Sequence, residues 1–168
     1  MTFVMGFRSS TMKPILFRPS HAQAIRHGFK TQTRRVVKNP GYSAEVWDAA
    51  VPHNGKKAIF GGPCYLRVAY DAANNLMGER LWPFWNIGDV LWVKTSLYQP
   101  RSAATLFLRV EDVRVERLQA ITEADAVAEG CDSRESFIKL WDSINAKRGY
   151  PWASKPWVWV LSFKKEIQ

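Results

Sequence analysis

Apolar residues in this chain come in short runs or at every second position, and that patterning excludes most helical architectures. Val90-Leu91-Trp92-Val93 is one continuous apolar run and Trp157–Phe163 is another. Between them, Leu106–Leu118 alternates, with Leu106, Leu108 and Val110 and then Val113 and Val115 against polar partners. A period of two buries one face of a strand, so this segment reads as one long strand or two. Ile15-Leu16-Phe17 is a further short strand, and Lys30–Val37, where β-branched residues alternate with polar ones, is a strand or an extended loop. Helices are few. Ser20 can cap one that runs through His21, Ala24, Ile25 and His27 and closes at Gly28. Thr122-Glu123-Ala124-Asp125 has the form of a capping box, with Ile121 and Ala126 placed as a staple, and that helix ends at Gly130. Asp132-Ser133-Arg134-Glu135 opens a third, whose apolar face carries Phe137, Leu140, Trp141 and Ile144. Strands and helices alternate too seldom for a doubly wound sheet. The pattern predicts an α+β fold: a small mixed β-barrel with short flanking helices.

The elements do not fill the chain evenly. Residues 1–11 have no clear period and read as an N-terminal tail. Over residues 40–85 the chain is broken by Asn39-Pro40-Gly41, Pro52, Gly55 and Gly61-Gly62-Pro63. That region reads as a long insertion in a single domain spanning 12–168, with a strand at Cys64–Tyr70 and a short helix near Ala44–Ala50. Trp82-Pro83-Phe84-Trp85 ends it.

With 168 residues, one domain suffices, and a hydrophobic fraction of 46% supports a real core. The 24 Lys and Arg exceed the 15 Asp and Glu, a formal charge of +9 that favours a polyanionic partner without implying sequence specificity. No apolar run approaches the roughly 18 residues of a membrane span. Thr2–Phe7 is too short for the apolar core of a secretory signal, and no suitable cleavage site follows it. Cys64 and Cys131 cannot build a disulfide framework or, alone, a Cys-rich metal site, so the reading is a cytoplasmic protein without cofactor, metal or membrane partner. Eight tryptophans supply core area and, in Trp82 and Trp85, surfaces on which a base can stack.

The familiar catalytic signatures are missing: there is no P-loop, no G-x-S-x-G and no H-E-x-x-H. His21, His27 and His53 lack ligand spacing and read as surface or satisfied histidines. One constellation stands apart. In Gly28-Phe29-Lys30-Thr31-Gln32-Thr33-Arg34-Arg35 a glycine ends a helix, and a lysine, a hydroxyl and two arginines follow at once. If Lys30–Thr33 were extended, Lys30 and Thr33 would lie on opposite faces, so a turn or bulge is needed to bring them together. On residue types alone, a basic surface strand is an equal reading.

The spacing G-x-K-x-x-x-x-R in Gly28, Lys30 and Arg35 resembles the signature of ASCH domains, relatives of the PUA RNA-binding barrel. From Met12 to Phe163 the chain resembles phage and prophage ASCH proteins. The landmarks are K-P-I-L-F, G-x-K-T-Q-T-R-R, G-D-x-L-W-V, the A-x-A-E-G helix end, L-W-D-S-I-N and P-W-V-W-V. A small bacterial member of the family is an amidohydrolase that removes the acyl group of N4-acetylcytidine with a lysine, a threonine three residues later and a distant glutamate. The resemblance carries these onto Lys30, Thr33 and, through Ile121-Thr122-Glu123 to Glu129, onto Glu129.

That set makes chemical sense. Amide cleavage needs a nucleophile, a base and a proton donor for the departing amine. Thr33 would be the nucleophile and Lys30 its base, once burial or the neighbouring Arg34 and Arg35 favour the neutral amine. Glu129, at a helix C-terminus where the dipole disfavours negative charge, would shuttle a proton or hold the cytosine amino edge. Gly28, Arg34, Arg35, Lys94, Trp82 and Trp85 are the expected substrate- or RNA-binding residues. One departure stands out: relatives of the phage type are expected to carry an acid after W-V-K, where this chain has Thr95. The resemblance implies a protein that binds RNA or a modified pyrimidine nucleoside and hydrolyses such an amide. A non-catalytic RNA-binding module, a phage accessory protein and a ribonuclease remain the alternatives.

Overall fold

The computed structural model describes residues 12–38, 50–52, 65–70, 76–81 and 84–167. In chain order its elements are β1 (Lys13–Leu16), α1 (Pro19–Arg26), β2 (Gln32–Val36), β3 (Ala50–Pro52), β4 (Tyr65–Tyr70), β5 (Leu76–Leu81), β6 (Val90–Lys94), β7 (Phe107–Arg117), α2 (Glu123–Ala128), α3 (Arg134–Asn145) and β8 (Trp157–Glu166). Five strands form the main sheet in the order β1-β6-β7-β8-β2, and β3-β4-β5 form a separate three-stranded sheet. Only the β1–β6 pairing in the main sheet is parallel, which makes the sheet mixed and the fold α+β.

The alternating segment is one strand. β7 pairs with β8 along its length, with Val110 opposite Phe163 and Asp112 opposite Ser162, so Glu111 is an extra residue in a bulge. The bulge resets the alternation, which is why Leu108 and Val110 are buried on the same side as Val113. That side, with Ile15, Phe17, Leu91, Val93, Trp159, Leu161 and Phe163, forms one core, capped by Ala22 and Ile25 of α1. The other side of β8, through Val158 and Val160, packs on Leu118, Ile121, Ala126, Phe137 and Trp141. Burying side chains the size of Phe137 or Trp141 contributes roughly 2–3 kcal/mol each, so α3 is held by its apolar face more than by helix propensity.

Helix ends follow local chemistry. Thr122 accepts from the Asp125 amide while the Asp125 carboxylate accepts from the Thr122 amide, the reciprocal box expected at the start of α2. Ser133 caps α3 in the same way through the Ser136 amide. α1 begins two residues earlier than expected: Pro19 occupies the first turn, Arg18 the N-cap position, and Ser20 lies inside the helix. Proline is preorganised for that place and needs no side-chain cap. In the expected insertion, the strand appears as β4. The helix expected over 44–50 lies outside the described residues except for Ala50, which opens β3.

β1 and β2 are the two edges of the main sheet, and no backbone pairing joins them among the described residues. A side chain bridges them instead. The Arg35 guanidinium of β2 donates to the carbonyl of Leu16 at 2.7 Å and lies 5.0 Å from the centroid of the Phe17 ring. The expected barrel is thus a curved sheet with a seam, and the seam is where the octapeptide sits. Among the described residues, no helix is long and apolar enough to cross a membrane.

Candidate functional site

Gly28 ends the α1 turn with φ of 79°, in the left-handed region that glycine adopts without strain. The chain then folds back, so that the amides of Phe29 and Lys30 both reach the carbonyl of Ala24, and the amide of Thr31 bonds the carbonyl of Ala128 at 2.8 Å. Lys30 therefore leaves from a turn before β2 begins, which meets the geometric condition for Lys30 and Thr33 to serve one cavity. Its backbone is docked on the end of α2. Gly130, with φ of 84°, lets the two segments touch: a Cβ there would stand 3.3 Å from the Lys30 Cβ.

This docking brings the Lys30 ammonium to the Glu129 carboxylate at 2.6 Å and to the Glu129 carbonyl at 2.7 Å. Both residues are buried, at 2% and 5% exposure, and the pair is enclosed rather than a surface ion pair. Burial holds the Lys30 amine below its ordinary proton affinity, and the Glu129 charge works against that shift.

Arg34 completes the buried charge cluster. Antiparallel pairing sets Arg34 opposite Val160 and Thr33 opposite Leu161, so the two neighbours face opposite sides of the sheet. Arg34 points toward α2 and α3. It reaches Glu129 at 3.2 Å, Glu116 of β7 at 2.6 Å, Asp125 of α2 at 3.3 Å and the Gln32 amide oxygen at 2.7 Å. It was expected to bind substrate, yet its side chain is fully buried and engaged with three carboxylates. Three acids gathered around one guanidinium organise the base of the site.

Along the seam lies a cavity of about 710 Å³ whose wall includes Lys30, Thr33, Arg34, Arg35, Trp85 and Glu129. Thr33 is buried, and its hydroxyl makes no hydrogen bond to another described residue. Leu140 and Ile144 of α3, expected as core, also border the cavity and are half-buried. The Nε atom of Arg35 and the indole nitrogen of Trp85 are buried donors with no partner among the described residues. Such donors are costly unless something accepts from them.

His21 is the residue that sequence reasoning set aside. It borders the same cavity from α1. Burial, reinforced by the positive charges of Lys30, Arg18 and Arg35, lowers its pKa to about 4, so the imidazole is neutral near pH 7. The one sequence signal was its position on the first turn of the helix that feeds the octapeptide.

The remaining expected residues are dispersed. Gly28 and Thr31 border a second cavity of about 280 Å³ on the other side of Lys30. The Lys94 ammonium is held by the carbonyl of Leu97 at 2.6 Å and does not border the seam cavity. Thr95 does border it, and its amide bonds the Gln99 side chain at 2.9 Å. Trp82, His53 and Cys64 lie outside the described residues. Burial pushes the Cys131 thiol up, which keeps it un-ionised. No group of three or more His, Cys, Asp or Glu side chains among the described residues is placed to hold a metal ion.

No family model and no curated protein matches the chain. The crystal structure of an ASCH domain from Lactobacillus crispatus JV V101 is similar over 92% of this chain and 79% of that one, with a TM-score of 0.51 and 12% identity. A DUF984 protein from Enterococcus faecalis V583 is similar over 92% of this chain and 80% of its own, at TM-score 0.47 and 15% identity. A mutant ASCH protein from Zymomonas mobilis covers 90% of this chain and 66% of its own, at TM-score 0.43 and 11% identity. At 12% identity, the first of these likenesses concerns the fold alone: the mixed five-stranded sheet with its short helices is arranged similarly to that ASCH domain.

Proposed function

We propose that this protein is an amidohydrolase of the ASCH type that removes the acyl group from N4-acetylcytidine, free or within RNA. The observation that carries the reading is the buried contact of 2.6 Å between Lys30 and Glu129 inside a cavity that Thr33 also lines. A lysine and a glutamate so close can exchange a proton along their hydrogen bond. The transfer leaves a neutral amine at Lys30 and a carboxylic acid at Glu129, the forms that amide cleavage needs. The Lys30 amine then takes the proton of the Thr33 hydroxyl as its oxygen attacks the acyl carbon. Collapse of the tetrahedral intermediate breaks the bond to N4, and Glu129 supplies the proton that leaves with the cytosine amine. Water, activated by the same pair, hydrolyses the Thr33 ester to release acetate. Arg34, bonded to the second Glu129 oxygen at 3.2 Å, aims the carboxylate.

A second reading has its own support. Lys30 is satisfied as it stands, bonded to both a carboxylate and a carbonyl, and this suits a rigid binding module that holds a nucleobase without turnover. Incubation with N4-acetylcytidine followed by chromatography for cytidine separates the two. Hydrolysis that disappears on Thr33→Ala supports the enzyme, and binding without product supports the module.

A further inference from the structure

The charges around the seam cavity are unequal. Arg18, Lys30, Arg34, Arg35, Lys38 and Arg148 border it, against a single carboxylate, Glu129, among its lining residues. Two of these cations are neutralised locally: Lys30 by Glu129, and Arg34 by Glu116, Asp125 and Glu129. The side chains of the other four form no ion pair with another described residue. Those of Arg18, Lys38 and Arg148 also make no hydrogen bond to another described residue, and Arg35 spends one nitrogen on the Leu16 carbonyl while its Nε has no partner. They also act on one another. Burial lowers the proton affinity of the Arg35 guanidinium, the Glu129 charge opposes that shift and the charge of Arg148 adds to it, and Arg18 and Arg35 help to keep His21 neutral. Gathering like charges is unfavourable unless an anion joins them.

Arg18, Lys38 and Arg148 are exposed and Arg35 is half-buried, whereas Lys30 and Glu129 are buried. We propose that the rim is a phosphate subsite, in which Arg18, Arg35, Lys38 and Arg148 receive the phosphate of a phosphorylated pyrimidine nucleoside while its base enters toward Lys30, Thr33 and Glu129. Arginine suits this task because its planar fork meets two phosphate oxygens at once. A cavity of about 710 Å³ is large enough for base, sugar and phosphate together. The inference rests on the cavity being the substrate site, and it refines the substrate from a nucleoside to a nucleotide unit. The unit is supplied either by a free mononucleotide or by a residue of RNA.

The test is titration calorimetry with cytidine, cytidine 5′-monophosphate and a short oligocytidine, at low and moderate salt. None of these carries an acyl group, so the result does not depend on whether the amide is cleaved. The monophosphate should bind about tenfold or more tighter than cytidine. That advantage collapses in Arg18→Ser/Arg148→Ser, two exposed positions whose replacement leaves cytidine affinity and the circular dichroism spectrum unchanged. Oligocytidine binding tighter than the monophosphate, with a steeper salt dependence, identifies RNA as the source. The reverse order identifies the free nucleotide, and both outcomes support the subsite. Equal affinity for cytidine and its monophosphate, absence of binding by the monophosphate, or a phosphate preference that survives the double substitution would overturn it. Absence of acetylcytidine hydrolysis by the wild type, alongside a phosphate preference that the double substitution abolishes, would sink the amidohydrolase reading alone.

Discussion

The Lys30 ammonium and the Glu129 carboxylate lie 99 residues apart in the chain and 2.6 Å apart in space. That one contact joins the turn after α1 to the end of α2, and both groups are buried. Removing one member leaves the other as a buried, poorly compensated charge, which costs about 3–5 kcal/mol. Lys30→Met should therefore lower the urea midpoint markedly. Lys30→Met combined with Glu129→Leu should recover part of that loss, because the carboxylate left with Arg34 as its one ion-paired cation among the described residues is gone as well. Equal midpoints for wild type and Lys30→Met would show that the pair does not anchor α2.

Thr33 separates chemistry from stability. Its hydroxyl makes no hydrogen bond to another described residue, so Thr33→Val should leave stability within about 1 kcal/mol of wild type. If the hydroxyl is the nucleophile, the same change removes acetylcytidine hydrolysis, a loss of at least about a hundredfold. Chemical denaturation and a turnover assay on the same preparation measure both. A large stability loss would show that the hydroxyl is structural.

Two glycines with nearly the same backbone conformation should respond differently. Gly28 has φ of 79° with open space where a Cβ would stand, so Gly28→Ala should cost only the left-handed strain, about 1 kcal/mol. At Gly130 the added carbon would press within 3.3 Å of the Lys30 Cβ. Gly130→Ala should cost more and also displace Lys30, reducing turnover where Gly28→Ala does not. Thermal melts with a paired activity assay distinguish the sites.

His21 gives the fold a dependence on acid pH with a definite sign. Its pKa falls from 6.5 to about 4, chiefly through burial, with Lys30, Arg18 and Arg35 adding to the effect. Between those values the unfolded chain holds a proton that the folded chain rejects, so this contribution to stability rises with pH across the window. Above 6.5 the histidine is neutral in both states and imposes no penalty; below about 4 the full penalty is present. His21→Asn should flatten that part of the stability profile, and nuclear magnetic resonance titration of the imidazole should give an apparent pKa near 4. A midpoint near 6.5 would place the ring in water.

Local chemistry made several elements legible. The Thr122–Asp125 box placed the start of α2, and with it the helix end that carries Glu129. The apolar positions from Leu106 to Val115 marked β7, although only the pairing with β8 shows that the slip between Val110 and Val113 is a bulge at Glu111. What could not be read depends on partners distant in sequence. Arg34 looks like a ligand-binding cation beside Arg35, but strand alternation turns it to the face where Glu116 and Asp125 arrive from other elements. The neutrality of His21 arises first from burial and then from a lysine and arginines brought together by the seam. The meeting of Lys30 with Glu129 was suggested by family resemblance, since no spacing rule connects two such remote positions. Nor could composition tell which basic residues border a cavity and which, like Lys94, bond to their own loop.

The most direct test of the central claim, that Lys30, Thr33 and Glu129 act together on an acylated cytosine, is the time course of cytidine release from N4-acetylcytidine by wild type and by Glu129→Gln. The substitution keeps the shape of the side chain and removes its ability to exchange a proton with Lys30. Wild type should form cytidine steadily, and the variant should lose about a hundredfold or more of that rate. Absence of cytidine from the wild-type reaction, or equal rates for the two proteins, would contradict that claim.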